Sequence, residues 1–270
     1  MKVAIIGGGT MGEAIASGLI HKNVAQAQTI VVSDTVQDRL KYLKETYKVK
    51  TIDRNAEAAK QGQVVILAVK PQVLQPAMSD MMGIIRPNQL VLSIVAGATI
   101  DTVRKGLGHD AVVRAIPNTP AQIGQGISVW SATGTVSPNQ RDMARQILSA
   151  LGKEVFVAEE RYVDMATAIS GSGPAYVFLF IEAFIDAAVH LGFQRPLAQE
   201  LALQTVLGSA MFMDKSGKHP AELRNMVTTP AGTTAEGLLA LEEGGLRAAL
   251  IKAAVAAYER SRALGSDKGS

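Results

Sequence analysis

Short apolar runs alternate with longer mixed stretches over roughly the first 156 positions of the chain. Val3–Ile6, Thr29–Ser33, Val64–Val69, Leu90–Ile94 and Ala111–Ala115 are almost continuous in aliphatic residues. Strands covered on both faces read this way, whereas half-exposed strands alternate apolar with polar. Between the runs lie Met11–Lys22, Gln37–Thr46, Val73–Met82 and Ile100–Leu107, each long enough for a crossover helix. Repeated βα units predict a doubly wound α/β domain built on a parallel sheet. Ile127–Trp130 and Glu154–Val157 read as later strands flanking a helix near Gln140–Leu151.

After about residue 158 the strand pattern stops. Tyr162–Ile169, Ala175–Leu191, Leu197–Lys215, Ala221–Asn225, Thr233–Glu242 and Leu246–Ala263 all carry helical periodicity. Gly173-Pro174, Arg195-Pro196, His219-Pro220 and Gly244-Gly245 break the stretches apart. The expected organisation is an α/β domain over 1–158, an all-α domain over 159–264 and a disordered tail, GSDKGS, over 265–270.

The stretch Ala175–Leu191 is apolar around most of its circumference. Its polar residues Glu182, Asp186 and His190 form a stripe at helical spacing, read as structural. Two acids near the centre of a membrane span would cost roughly 2.5–3.5 kcal/mol each, so a buried helix of a soluble protein is expected. The remaining helices offer it little cover. A second copy of the chain is therefore expected to enclose it, with a homodimer as the minimum assembly.

Composition narrows the classes. The net charge of +3, with no basic cluster interleaved with aromatics, argues against nucleic acid as a partner. The chain has no cysteine, which excludes disulfides, thiolate metal sites and a cysteine nucleophile. The opening MKVAIIGGG is too short for a signal peptide's apolar region, so a cytoplasmic protein is expected. His21, His109, His190 and His219 fall near helix ends and turns, form no hydrolytic triad, and suggest no metal.

Gly7, Gly9 and Gly12 stand in G-x-G-x-x-G spacing, with Thr10 and Met11 between the last two, between the first strand and the first helix. This context marks a Rossmann-type dinucleotide turn. The first glycine permits the tight turn, the second lets backbone approach the pyrophosphate, and the third lets helix and strand pack closely. The helix N-terminus then receives the phosphate charge. Ser33-Asp34 closes the second strand, about twenty residues further on, where an acid accepts from the adenosine ribose and repels a 2′-phosphate. Asp34 thus favours NADH over NADPH, unless it serves only as a helix cap. Ser33, Thr35 and Arg39 are the groups left to meet a 2′-phosphate.

Ala68-Val69-Lys70-Pro71, Ala96-Gly97 and Asn118 lie at the ends of later strands, which line the same crevice. Lys70 is either a ribose or nicotinamide contact or an exposed lysine. Asn118, between prolines, either positions nicotinamide or substrate or is a turn residue. Two small-residue loops, Ser170-Gly171-Ser172-Gly173-Pro174 and Val227-Thr228-Thr229-Pro230-Ala231-Gly232-Thr233-Thr234, feed helix N-termini. They are either carboxylate sites or tightly packed capped loops.

The glycine turn together with AVKP, SIVAG, RAIPNTP, SGSGPAY, VTTPAGTTAEGL and LEEGGLRAALIKA resembles pyrroline-5-carboxylate reductase, from residue 1 to about 263. The resemblance implies an N-terminal Rossmann domain, an all-α C-terminal dimerisation domain, and in some members a decamer of five dimers. It implies reduction of L-1-pyrroline-5-carboxylate to L-proline by NAD(P)H, the last step of proline biosynthesis, without a metal. Thr234 matches the threonine that bonds the imine nitrogen, and it would orient substrate first and donate a proton second. Ala231, Gly232 and Thr233, with Val227 beside them, would bind the substrate carboxylate; Ser170 and Gly171 would shape the crevice. Many bacterial members have Asn-Arg at the Ser33-Asp34 positions, so the acid here puts their NADPH preference in doubt. A β-hydroxyacid dehydrogenase would place a lysine on the long helix after SGSGP, which this chain lacks. A dinucleotide sensor would need neither Thr234 nor its loop.

Overall fold

The structure, a computed structural model, describes residues 1–266. Its first compact unit comprises Met1–Ser172 and the last helix from Ala256 onward. The elements run β1 (Val3–Ile6), α1 (Thr10–His21), β2 (Ile30–Ser33), α2 (Gln37–Tyr47), β3 (Lys50–Ile52), α3 (Asn55–Ala59), β4 (Val64–Leu67) and α4 (Leu74–Met81). They continue with β5 (Leu90–Ser93), α5 (Ile100–Leu107), β6 (Val112–Ile116), β7 (Gly126–Ala132), α6 (Pro138–Ser149), β8 (Gly152–Phe156) and α7 (Arg161–Ala166). The strands form one sheet in the order β3-β2-β1-β4-β5-β6-β7-β8.

Strand residues alternate between two cores. Val3, Ile5, Val32, Ile66 and Leu92 join Ile15, Leu19, Ile147 and Trp130 on one face. Ala4, Ile6, Val31, Val65 and Val91 join Leu74, Met78 and Val103 on the other. Burial on both faces is why the runs lack polar residues, and a fully buried Ile or Leu contributes about 1.5–3 kcal/mol.

In the first unit, strand direction and the smallest elements depart from the sequence expectation. The sheet is not wholly parallel: β7 runs antiparallel to β6, and β8 is parallel to β7. Apolar runs carry no record of strand direction. The pattern also misses β3 and α3. β3 is an edge strand of three residues, with Lys50 exposed and Thr51 and Ile52 half-buried, so it has no apolar run to find.

The change from strands to helices near residue 158 is not where the compact units divide. Arg114 of β6 is buried and donates to Glu160 at 2.6 Å and Asp164 at 2.5 Å, tying α7 to the sheet. After α7 the chain makes one π-helical turn, Thr167–Gly171, and the first unit ends at Ser172.

The second unit, Gly173–Val255, contains α8 (Gly173–His190), α9 (Arg195–Ser216), α10 (Pro220–Met226), α11 (Thr233–Glu243) and the start of α12 (Leu246–Ser266). α8 packs along α9, and Asp186 of its polar stripe pairs with Arg195 at 2.9 Å. The expected burial of α8 is not met within one chain. No residue of it is buried, and Phe178 and Leu179 are 62% and 65% exposed. Counted together, α7, the π-helical turn and α8 make a helical stretch, Arg161–His190, long and apolar enough to cross a membrane by length and composition alone.

α12 reaches Ser266, so Gly265 and Ser266 close a helix where a disordered tail was expected. Gly97, in the left-handed region at φ 74°, leaves room for Leu264 of this helix: a Cβ there would lie 2.8 Å from the Leu264 Cβ. The rest of the expected tail, 267–270, lies outside the described residues.

Candidate active site

The glycine turn is built by close approaches that only glycine permits. Gly7 has φ 104° and donates its N–H to the Ser33 carbonyl at 2.8 Å; a Cβ on it would lie 2.7 Å from the Ala68 carbonyl oxygen. At Gly12 a Cβ would overlap the Gly7 carbonyl, which is how the turn folds back onto α1. Gly9 differs: nothing lies within 4 Å of where its Cβ would be. It precedes α1 with extended backbone and no side chain caps the helix. An open glycine before an uncapped helix N-terminus fits a pyrophosphate, with Thr10 and Met11 in the first turn.

Asp34, at the end of β2, spends both oxygens locally. Oδ2 accepts the Gly8 N–H at 2.7 Å, and Oδ1 accepts the Val36 N–H at 2.9 Å as the chain turns into α2. The side chain does not cap α2 itself, whose N-cap is Val36. Each oxygen retains acceptor capacity. Ser33 is buried and donates its hydroxyl to Asn55 Oδ1 at 2.8 Å, so that hydroxyl is already committed.

Arg39 donates from Nε to the Gly8 carbonyl and from its Nη2 to Glu13, and lies over the Tyr42 ring at 5.1 Å. Glu13 also accepts from Tyr47 at 2.7 Å and Tyr42 at 3.1 Å. Burial pushes the Glu13 carboxyl up, but the hydrogen bonds from Arg39, Tyr47 and Tyr42 and the Arg39 charge hold it below the usual range. The Tyr47 phenol is pushed up to about 12 by burial and by its bond to Glu13. Sequence reading missed this cluster. Its one visible signal is an acid in the first turn of the helix that should receive phosphate.

The carboxyl ends of β1, β2, β4, β5 and β6 share one edge of the sheet, since these strands run parallel. Ala68 and Val69 are half-buried there, Lys70 is exposed, and Pro71 opens a short 3-10 turn. Ala96 is half-buried beside the buried Gly97. Asn118 accepts the Ile127 N–H on its Oδ1 at 2.9 Å, tying its loop to β7, and its amide N–H groups have no partner among the described residues.

Ser170 and Gly171 lie in the π-helical turn of the first unit, where Ser170 donates its hydroxyl to the Ala166 carbonyl at 3.0 Å. The other substrate candidates lie in the second unit. Val227 is 65% exposed. Ala231 holds φ 56° in the left-handed region, a strained conformation for a non-glycine residue. Gly232 follows, where a Cβ would run into the Thr229 hydroxyl, and α11 begins at Thr233 without a side-chain cap. The strained turn thus feeds an uncapped helix whose first two residues are Thr233 and Thr234. Thr234 is half-buried, and its hydroxyl has no hydrogen-bond partner among the described residues.

A sheet with a glycine turn at its carboxyl edge, together with a helical unit, is the architecture of a two-part dinucleotide-binding protein. Residues 2–97 match the family described as NADP oxidoreductase coenzyme F420-dependent, and residues 160–264 match pyrroline-5-carboxylate reductase dimerisation. A pyrroline-5-carboxylate reductase of Synechocystis sp. is 44% identical over 266 residues, covering 98% of both chains. A solved pyrroline-5-carboxylate reductase of Coxiella burnetii is 36% identical, with a TM-score of 0.90 and 98% of each chain covered. The Plasmodium falciparum pyrroline carboxylate reductase, solved with NADP bound, is 30% identical at the same TM-score and coverage. The chain belongs to the pyrroline-5-carboxylate reductase family.

Proposed function

We propose that this chain reduces L-1-pyrroline-5-carboxylate to L-proline as a cytoplasmic homodimer, using NADH in preference to NADPH. The observation that carries the reaction is identity to named reductases along nearly the whole chain, 44% over 98% of it in the Synechocystis relative. The proposed domain limits are 1–158 for the dinucleotide part and 159–264 for the helical part.

A dihydronicotinamide, when bound, would supply a hydride for the imine carbon, with a proton taken up at the imine nitrogen. The residues' task is to hold two molecules in register, and positioning alone lowers a barrier substantially when the imine is already protonated. Gly7, Gly9, Thr10, Met11 and Gly12 hold the pyrophosphate at the α1 N-terminus. Asp34 accepts from the adenosine ribose, where a 2′-phosphate would meet its charge. Ala68–Pro71, Ala96, Gly97 and Asn118 line the nicotinamide side of the crevice.

The loop Ala231–Thr233 binds the substrate carboxylate through the N–H groups that Ala231 and Thr233 leave unspent among the described residues, with Gly232 between them, its own N–H held by the Thr229 carbonyl, and Val227 beside them. Thr234 orients the ring through its nitrogen, and Ser170 and Gly171, in the first unit, shape the crevice there. The apolar surface of α8 supports pairing with a second copy, which a helix matched to a dimerisation family would need. Five such dimers forming a ring is the larger assembly proposed.

The test is steady-state reduction of pyrroline-5-carboxylate by wild type and Thr234→Ala, with NADH and NADPH each titrated. A kcat loss of about 10²-fold with dinucleotide affinity intact is expected for a donor acting at the reacting nitrogen. Wild-type protein that binds dinucleotide without reducing this imine would overturn the proposed reaction.

A further inference from the structure

An acid in the first turn of a helix is ordinary, because it faces the positive end of the helix dipole. Glu13 has a more particular situation. It stands in the first turn of α1, yet its carboxylate is spent entirely on α2: one oxygen accepts from Arg39, the other from Tyr47 and Tyr42. Arg39 is the cation that follows Asp34 on the first turn of α2. It is held at three points, by Glu13, by the Gly8 carbonyl and by the face of Tyr42.

A guanidinium near the end of β2 is the group that accommodates a 2′-phosphate in dinucleotide folds, through its paired N–H donors. We infer that Glu13 is a specificity-determining residue: it fixes Arg39 against the glycine turn and so withholds it from a 2′-phosphate. Discrimination then has two parts, the charge of Asp34 and the sequestration of Arg39. The inference rests on the reading of Asp34 as the ribose acceptor, but the two are separable by measurement.

Glu13→Gln keeps the side chain's size and one acceptor while removing the charge that binds Arg39. A charge-assisted bond is roughly twice as strong as a neutral one, so Arg39 is loosened while Asp34 keeps its hold on the Gly8 N–H. The experiment is calorimetric titration of the full-length protein with adenosine 2′,5′-bisphosphate and with 5′-AMP, which needs no turnover. In Glu13→Gln the affinity ratio of bisphosphate to 5′-AMP is expected to rise by about fivefold. In Glu13→Gln/Arg39→Ala that gain should vanish.

An unchanged ratio in Glu13→Gln overturns the inference, as does a gain that survives loss of Arg39. A fall in the ratio also overturns it, since Glu13 would then be aiming Arg39 at the phosphate. Wild-type affinities for NADH and NADPH test Asp34 separately. Tighter NADPH binding would remove that reading while an Arg39-dependent rise in the Glu13→Gln ratio still upheld this one.

Discussion

Asp34 and Arg39 hold the peptide unit of Gly8 from both sides: the Asp34 carboxylate accepts its N–H at 2.7 Å, and the Arg39 guanidinium donates to its carbonyl. These two residues, just after β2, therefore set the shape of the glycine turn. An effect on cofactor choice and an effect on turn geometry can be separated by which atoms a substitution removes.

Asp34→Asn keeps a carbonyl acceptor for the Gly8 N–H, whereas Asp34→Ala removes both acceptors. The alanine variant is expected to lose about 1–2 kcal/mol of stability, the range for a partly buried donor left without its partner, and to bind NADH weakly. The asparagine variant, which gives up only the acceptor for the Val36 N–H, should lose less stability than the alanine variant and mainly lose its preference for NADH. Denaturant unfolding and calorimetric titration measure the two effects. Equal loss of stability in both variants would show that the charge, not the acceptor, supports the turn.

Gly9 and Gly12 make opposite predictions. A methyl group at Gly12 would overlap the Gly7 carbonyl, while at Gly9 it meets only open space. Gly12→Ala should destabilise the fold by about 1–3 kcal/mol, as overpacking does, and weaken dinucleotide binding with it. Gly9→Ala should leave the unfolding free energy within about 0.5 kcal/mol of wild type, yet weaken NADH because the methyl fills the space the phosphate needs. Comparable stability loss in both would contradict the division of roles between the two glycines.

Tyr47 gives the protein an alkaline limit. Its ordinary value is 10.0 and its folded value about 12, raised first by burial and then by the bond to the Glu13 carboxylate. The unfolded chain thus loses this proton first, and stability that is complete below pH 10 is lost as pH rises towards about 12. Glu13 works in the other sense: its lowered carboxyl contributes above the ordinary carboxylate range, and that contribution is lost as pH falls. Tyr47→Phe should flatten the stability profile across the alkaline window, read as the difference from wild type in denaturant midpoints. Superimposable slopes in the two proteins would remove Tyr47 from the account.

The glycine turn was legible because two independent signals agree there: the spacing of Gly7, Gly9 and Gly12, and the strand and helix on either side. The central strands were legible because burial on both faces leaves no room for polar residues. β3 left no such trace, since Lys50 and Thr51 lie on an edge and have little apolar surface to bury. The Glu13 cluster was hidden for a different reason. It joins the start of α1 to both ends of α2, from Arg39 to Tyr47, and such a contact exists only once the helices lie side by side. Asp34 was legible as an acid that closes β2, but its grip on Gly8 was not.

The sequence of α8 records burial without recording what provides it. Phe178 and Leu179, exposed in the single chain, carry the hydrophobicity of a core. Burying an aromatic or leucine side chain contributes about 1.5–3 kcal/mol, so a second copy covering this face would gain substantially from each. Replacing Phe178 or Leu179 with Glu introduces a charge that would lie unpaired in such an interface. The variant is expected to sediment as a monomer at concentrations where wild type is a dimer, with NADH still binding to the sheet unit. A variant that remains dimeric would move the interface away from this face of α8. A wild-type monomer with the same apolar surface would require some other cover for it.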